Sequence, residues 1–248
     1  MILHLLPTRT AGAAENMAVD FLLLQRYPQP AVPRFRHYEW RAAACTFGYA
    51  QKIAAVRELL AAQARLQSSD TNGVRLDLCR RPTGGGLVDH RADWTYALVI
   101  PRGHPLEEAR ATQSYRLIHE ALAAALRAQD VPAATKPAAD EPADDAGGVC
   151  FQRAEVHDVV HTVTQAKIAG AAQKRNKHGL LFQGSIWRPA VTAAAAGFDW
   201  ERFETDFVAQ LAAALGATAE NVPWPEFNED EVSGLTEQYA SAEWLEHR

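Results

Sequence analysis

Arg80-Arg81-Pro82-Thr83-Gly84-Gly85-Gly86-Leu87-Val88-Asp89-His90-Arg91-Ala92-Asp93-Trp94-Thr95-Tyr96 is the stretch on which the reading of this chain turns. Val74 to Leu78 before it alternates apolar and polar residues, as a half-buried strand does, and Trp94 to Ile100 after it reads as a second strand. Three consecutive glycines, Gly84, Gly85 and Gly86, lie between them. Glycine reaches positive φ without steric cost and lets other groups approach the backbone closely. With Arg80 and Arg81 on one side and His90 on the other, such a loop can offer bare N–H groups to a phosphate, a carboxylate or a thioester carbonyl. A plain hairpin needs only one or two glycines, so the third favours a ligand loop.

Outward from the loop, the chain alternates short strands and helices. Strands are expected at Ile2–Leu6, Arg34–Trp40, Cys45–Tyr49 (strand or turn), Val156–Val163, Lys167–Gln173 and Leu180–Trp187. Helices are expected at Ala13–Tyr27, Ile53–Leu66, Glu107–Gln129, Asp199–Leu215 and Glu231–Leu245, from apolar residues at helical spacing and from stop signals such as Pro28. Val131 to Gly148 carries three prolines, four acidic residues and Gly147-Gly148, and reads as a surface loop or mobile linker. The sum is an α+β (mixed α/β) domain, a sheet with helices packed on it.

The 248 residues are 48% hydrophobic and 22% charged, enough for one full core, so a single domain over 1–248 is expected. No apolar run approaches the ~20 residues of a membrane span. Met1 to Pro7 lacks the basic segment and cleavage site of a signal peptide, so the expected location is the cytoplasm. A net charge of −5 argues against a nucleic-acid binder. Three cysteines without a Cys-x-x-Cys pair argue against a disulfide framework or a zinc site. The nine histidines form no metal constellation, and no Walker or dinucleotide-binding glycine motif is present.

Cys45 and Cys79 lie in apolar, strand-like surroundings and read as buried structural thiols. Cys150 follows Gly147-Gly148, where a thiol is more accessible; on position alone it is either a nucleophile or an inert half-buried side chain. Lys167 opens a strand of small residues, Lys-Ile-Ala-Gly-Ala-Ala, so its ammonium can enter a cleft and hydrogen-bond a carbonyl. Lys174, Arg175, Lys177 and His178 form a basic turn, either solvated or a docking patch for an acidic partner.

These motifs together resemble the lipoate–protein ligase A and octanoyltransferase family, which shares its catalytic fold with biotin protein ligases. Asn16-Met17-Ala18-Val19-Asp20 is similar to the family's first-helix motif. Arg80 to Gly86 with Val88, His90 and Thr95-Tyr96 is similar to its glycine-loop signature. Lys167 to Arg175 and Gln183-Gly184-Ser185-Ile186 are similar to its lysine strand and the strand after it, and Tyr239 to Trp244 to its closing helix. The resemblance implies a biotin/lipoate protein ligase-like catalytic domain with no separate accessory domain, its mixed sheet flanked by helices.

Two chemistries occur in that family. Ligases activate free lipoate with ATP, through a lipoyl-AMP intermediate. Octanoyltransferases use a cysteine to take an octanoyl group from acyl carrier protein and pass it to a lysine of a lipoyl domain, such as that of glycine cleavage H protein or a dehydrogenase E2. Cys150-Phe151 stands where the cysteine-type transferases have Cys-Phe, which favours the transferase and implies catalytic roles for Cys150 and Lys167. Substrate contacts are implied for Arg81, Thr83, Gly84, Gly85, Gly86, His90, Gly170, Ala172, Gln173, Gly184 and Ser185. No cofactor and no metal are implied; ATP or AMP enters only under the ligase alternative. A further alternative is a non-catalytic module that binds lipoyl domains. The sequence departs from the family pattern at His90-Arg91, where His-Asp is usual; Asp93 is the nearest acidic substitute. The span from Cys150 to Lys167 is also slightly longer than the pattern.

Overall fold

The computed structural model describes residues 1–66, 76–138 and 154–247. In chain order the elements are β1 (Ile2–Ala11), α1 (Ala13–Gln25), β2 (Arg34–Trp40), β3 (Ala44–Phe47), α2 (Ile53–Leu66), β4 (Asp77–Arg80), β5 (Val88–Asp89) and β6 (Asp93–Pro101). There follow α3 (Pro105–Glu108), α4 (Ala111–Arg127), β7 (Ala133–Thr135), β8 (Val159–His161), β9 (Lys167–Asn176) and β10 (Gly179–Trp187). The chain continues through α5 (Arg188–Ala194), α6 (Trp200–Ala214), β11 (Thr218–Asn221), α7 (Glu229–Ala240) and α8 (Ala242–Glu246).

Eight strands form one mixed sheet in the order β11-β1-β2-β6-β10-β9-β8-β7. β1 pairs parallel with both β11 and β2, and the other pairs are antiparallel. Pro7, which cannot donate to the ladder, sits where the β1–β2 register shifts. One face of the sheet carries α4 and α6 over the main core, which includes Phe35, Trp94, Tyr96, Phe182 and Phe207. The other carries α1 and α7. β6 is buried along all nine residues, as a central strand must be when both faces are covered. A separate three-stranded sheet, β4-β3-β5, holds the glycine loop between β4 and β5.

Buried arginines tie the layers together. On β2, Arg34, Arg36 and Tyr38 point toward α1 while Phe35 enters the main core. Arg34 donates to the carbonyls of Leu23 and Leu24 at 2.7 and 3.3 Å, satisfying acceptors that the last turn of α1 leaves open. Arg36 forms a fully buried ion pair with Asp20 of α1, Nη2 to Oδ1 2.6 Å. Asn16 donates to the carbonyls of Ala11 and Glu39, fixing the start of α1 against β1 and β2.

Several boundaries differ from the sequence expectation. The helix expected over Glu107–Gln129 is broken at Ala109-Arg110, because Arg175 donates to the carbonyls of Glu107 and Ala109 and holds the chain extended there. The final helix is two: Ser241 is extended, and its Oγ accepts from Trp244 N to start α8. Within the expected loop Val131–Gly148, Val131 and Ala133 are buried and Ala133–Thr135 pairs with β8; the rest, from 139 onward, lies outside the described residues. β11 and α5 were not anticipated. β11 is a short, largely exposed strand whose parallel pairing with β1 leaves no local sequence signal.

Three histidines are buried in a form that resists protonation. Burial pushes His37, His104 and His119 below the ordinary histidine value, His119 to about 4. The unfolded chain protonates these rings near pH 6.5, so their contribution to stability is intact above that value and is lost as pH falls toward about 4. Urea unfolding free energy is therefore expected to drop between pH 7 and pH 4.5. His119→Gln is expected to flatten that drop relative to wild type; an unchanged slope would contradict this.

Candidate active site

The register of the central strands lays out the floor of a cleft. Gly170 of β9 pairs with Ser185 of β10, Ser185 with Thr95 of β6, and Thr95 with Tyr38 of β2. This row crosses four strands and so spans about 14 Å, at roughly 4.8 Å per step. All four residues line one cleft, whose enclosed volume is about 40 Å³ and which is otherwise open to solvent. Met17 of α1 and Trp40, Val88, Ala171 and Ala172 give it an apolar lining. The glycine loop faces the floor with Arg81, Gly85 and Gly86.

Both arginines of the loop are occupied with building it. Arg81 donates through Nη2 to the carbonyls of Gly84 and Gly86, both at 2.8 Å, and through Nη1 to Thr46 O and Oγ1, also at 2.8 Å. Arg80 donates to the carbonyls of Tyr49, Gln51, Trp244 and Leu245, locking α8 against the turn after β3. Trp244 Nε1 donates back to Arg80 O at 2.9 Å. The Arg80 side chain is thus a clamp for the closing helix. Gly85 is the residue that the loop geometry restricts to glycine, with φ +85°.

His90 stacks on Trp40 with ring centroids 4.1 Å apart. Its Nδ1 lies 2.6 Å from Asp93 Oδ2 and its Nε2 2.7 Å from Thr46 Oγ1. Asp93 also accepts from Thr95 Oγ1 at 2.9 Å and from Ser185 Oγ. Asp93 therefore fills the acidic partnership that His90-Arg91 lacks. Arg91 turns outward onto Asp89, Nη2 to Oδ2 2.5 Å.

Lys167, at the start of β9, lies against the cleft-lining Gly170. Its Nζ pairs with Asp158 Oδ2 at 2.7 Å, and both side chains are almost wholly buried. A Cβ at Gly170 would stand 2.6 Å from Lys167 Nζ, so the ammonium lies directly on the one residue of the row that leaves it room. An alanine there would displace the ammonium before it disturbed the strand.

A second network anchors the cleft from behind. Thr83 Oγ1 donates to Gln183 Oε1 at 2.7 Å, and Gln183 Nε2 donates to Asp20 Oδ2 at 2.6 Å. The glycine loop is linked in this way to the buried Asp20–Arg36 pair. Burial pushes the Asp20 carboxyl up, and the Arg36 guanidinium opposes that rise.

The cleft thus brings together Arg81, Gly85, Gly86, His90, Gly170, Ala172, Gly184 and Ser185, with Lys167 against Gly170. Thr83 lies behind the lining. A Cβ placed on Gly84 would meet nothing within 4 Å. Gln173 is on the opposite side of β9, away from the cleft lining, bonded to Ser114 and Ala111 of α4. Cys150 lies outside the described residues. Of the basic turn, Arg175 is spent on the α3–α4 break and Lys174 packs over the Tyr49 ring at 5.0 Å; of the four residues only Lys177 is exposed. Cys45 and Cys79 are buried, and burial pushes both thiols up to about 12, which keeps them unreactive. Sequence reasoning missed Thr46 and Asp158. Asp20 and Gln183 were visible in the motifs, but as polar residues their buried linkage was not.

The sequence profile of the lipoyl protein ligase A/B catalytic domain matches residues 12–189. Octanoyltransferase LipM of Brevibacillus brevis is 31% identical over 185 residues, a match covering 72% of this chain and 63% of that protein. Octanoyltransferase LipM of Bacillus subtilis is 30% identical, with 71% of this chain and 62% of the relative covered. The chain thus spans less than two thirds of the length of these two relatives. For octanoyltransferase LipM of Macrococcus caseolyticus the identity is 27% and the coverage 94% of both. Among solved structures, a bi-partite lipoate protein ligase from Thermoplasma acidophilum superposes with a TM-score of 0.72 at 20% identity, covering 99% of this chain and 96% of that one. Lipoate-protein ligase A bound with ATP gives 0.71 at 18%, covering 98 and 97%. At these identities the two structures establish the fold.

Proposed function

Because the chain belongs to the lipoyl protein ligase A/B catalytic-domain family, we propose that it is an octanoyltransferase, moving an octanoyl group from acyl carrier protein to a lysine of a lipoyl domain through a thioester on Cys150. The observation that carries this reading is the Lys167 ammonium standing against Gly170, the first residue of a cleft-lining row that crosses four strands over about 14 Å. An extended eight-carbon acyl chain spans about 9 Å, given C–C bonds of ~1.5 Å. With its carbonyl beside Lys167, a chain of that length is shorter than the row Gly170, Ser185, Thr95, Tyr38. The octanoyltransferase relatives support the choice of acyl group.

In the first step the Cys150 thiolate attacks the thioester carbonyl, and the tetrahedral intermediate expels the carrier's thiolate, which takes up a proton. In the second, the neutral amine of the acceptor lysine attacks the enzyme thioester. Cys150 leaves as thiolate, the nitrogen loses a proton, and an amide remains. Lys167 donates to the carbonyl oxygen as negative charge develops on it in both steps. Thioester exchange is nearly isoenergetic and thioester to amide is downhill, so neither ATP nor a metal is required.

The test mixes the protein with octanoyl-carrier protein and an apo lipoyl domain, without nucleotide. Mass spectrometry is expected to show the lipoyl domain gaining one octanoyl group. Modification that needs ATP and the free acid would replace this reading with the ligase. Binding of the lipoyl domain without turnover would replace it with the non-catalytic module.

A further inference from the structure

Lysine carries four rotatable methylenes, and an ammonium that must meet a carbonyl needs its position fixed by something other than its own stem. Asp158 provides this. It is completely buried, and its carboxylate is met from three directions. Lys167 Nζ lies 2.7 Å from Oδ2, Glu155 N donates to Oδ2 at 2.7 Å, and Tyr115 Oη on α4 donates to Oδ1 at 2.6 Å. Its backbone is held too: Asp158 N donates to Glu155 O, and Asp158 O accepts from Lys136 N. Tyr115 is fixed in turn by the open part of β9, where Ala171 N donates to its Oη at 2.8 Å. The phenol therefore joins the carboxylate to the strand whose Gly170 lies under the ammonium.

We propose that Asp158 and Tyr115 are positioning residues for the acyl transfer, holding Lys167 charged and aimed across Gly170 into the cleft. The proposal rests on the octanoyltransferase reading for the reaction it serves. Burial disfavours the ammonium, and the carboxylate 2.7 Å away opposes that and favours the protonated form. Lys167 thus serves as a hydrogen-bond donor and does not take the proton of Cys150 or of the acceptor amine. Asp158 supplies the charge, and Tyr115 supplies the direction. The other ionisable groups around the pair are His119 of α4, His157 before β8 and Tyr96 of β6. His119 is held neutral by burial, and burial with the Asp158 charge holds Tyr96 protonated. A histidine ring carries no negative charge and the Tyr96 phenol is held protonated, so none of the three can replace Asp158 as the counter-charge.

The experiment follows Lys167 in two ways, with the full chain throughout. In protein labelled with ¹³C-lysine, the Lys167 side-chain resonance, assigned by its absence in Lys167→Arg, is titrated in wild type, Asp158→Asn and Tyr115→Phe. In parallel, kcat and KM for octanoyl transfer are measured from pH 6 to pH 10. Asp158→Asn is expected to lower the Lys167 midpoint by at least about one pH unit and to move the alkaline limb of kcat down with it. Tyr115→Phe keeps the ring and the charge. It is expected to lower kcat about tenfold, with KM for the carrier little changed and the lysine midpoint near wild type. If Asp158→Asn does not fold, the Tyr115→Phe result decides the matter. An unmoved lysine midpoint in folded Asp158→Asn would overturn the proposal, as would wild-type kcat in Tyr115→Phe. Should wild type transfer no octanoyl group while Asp158→Asn still shifts the midpoint, the octanoyltransferase reading falls and the clamp stands.

Discussion

Lys167→Met is expected to lower octanoyl transfer by about 10²–10³-fold, the usual cost of removing one donor aimed at a developing oxyanion. Methionine has nearly the same length and fills the same space, so the floor of the cleft is kept. The substitution also strands the Asp158 carboxylate, which is wholly buried. A stability loss of about 3 kcal/mol is therefore expected beside the kinetic loss. The two effects separate in the double variant Lys167→Met with Asp158→Asn. Neutralising the stranded carboxylate is expected to return most of the stability and none of the activity. Single-turnover transfer rates and urea unfolding of the three variants check this. Recovery of activity in the double variant would show that the ammonium acts only through folding.

The second large effect concerns the anchor behind the cleft. Asp20→Ala leaves the Arg36 guanidinium, only 1% exposed, without its counter-charge. Breaking a buried pair in this way costs about 3–5 kcal/mol. For a chain of this size that is a fall in Tm of about 10 °C. The same change removes the acceptor of Gln183 Nε2, through which Thr83 and the glycine loop are held. Asp20→Ala is therefore expected to raise KM for the acyl donor even at temperatures where the protein is folded. Replacing both partners with apolar residues, Asp20→Leu with Arg36→Met, is expected to recover much of the Tm and leave KM raised. Calorimetry and steady-state kinetics on the two variants distinguish the roles; a Tm within 2 °C of wild type for Asp20→Ala would contradict the account.

The difference between Arg36 and Lys167 shows what the sequence could and could not reveal. The strand over Arg34–Trp40 and the helix over Ile53–Leu66 were legible from periodicity and have those bounds in the structure. Alternation alone, however, assigns arginines to the solvent side. In β2 the strand is buried on both faces, and Arg34 and Arg36 point inward because α1 brings open carbonyls and a carboxylate to meet them. The glycine loop, the lysine strand and the strand after it were each visible as motifs. Their meeting in one cleft depends on the register Gly170, Ser185, Thr95, Tyr38, which only the assembled sheet sets. Asp93 could be singled out because the resemblance calls for an acidic residue after His90 and Asp93 is the nearest one. Asp158 could not: one aspartate in a valine-rich segment looks like any other until the fold places it against Lys167 and Tyr115. The same holds for Arg175, which reads as part of a basic turn and instead ends α3.

The claim that decides the rest is that Cys150 carries the acyl group. Its most direct test is the intact mass of the protein after brief incubation with octanoyl-carrier protein alone, with no acceptor present. A species heavier by one octanoyl group, discharged by hydroxylamine and absent in Cys150→Ala, is the predicted result. An octanoyl adduct that persists in Cys150→Ala, or lipoyl-AMP formed from ATP by that variant, would contradict it.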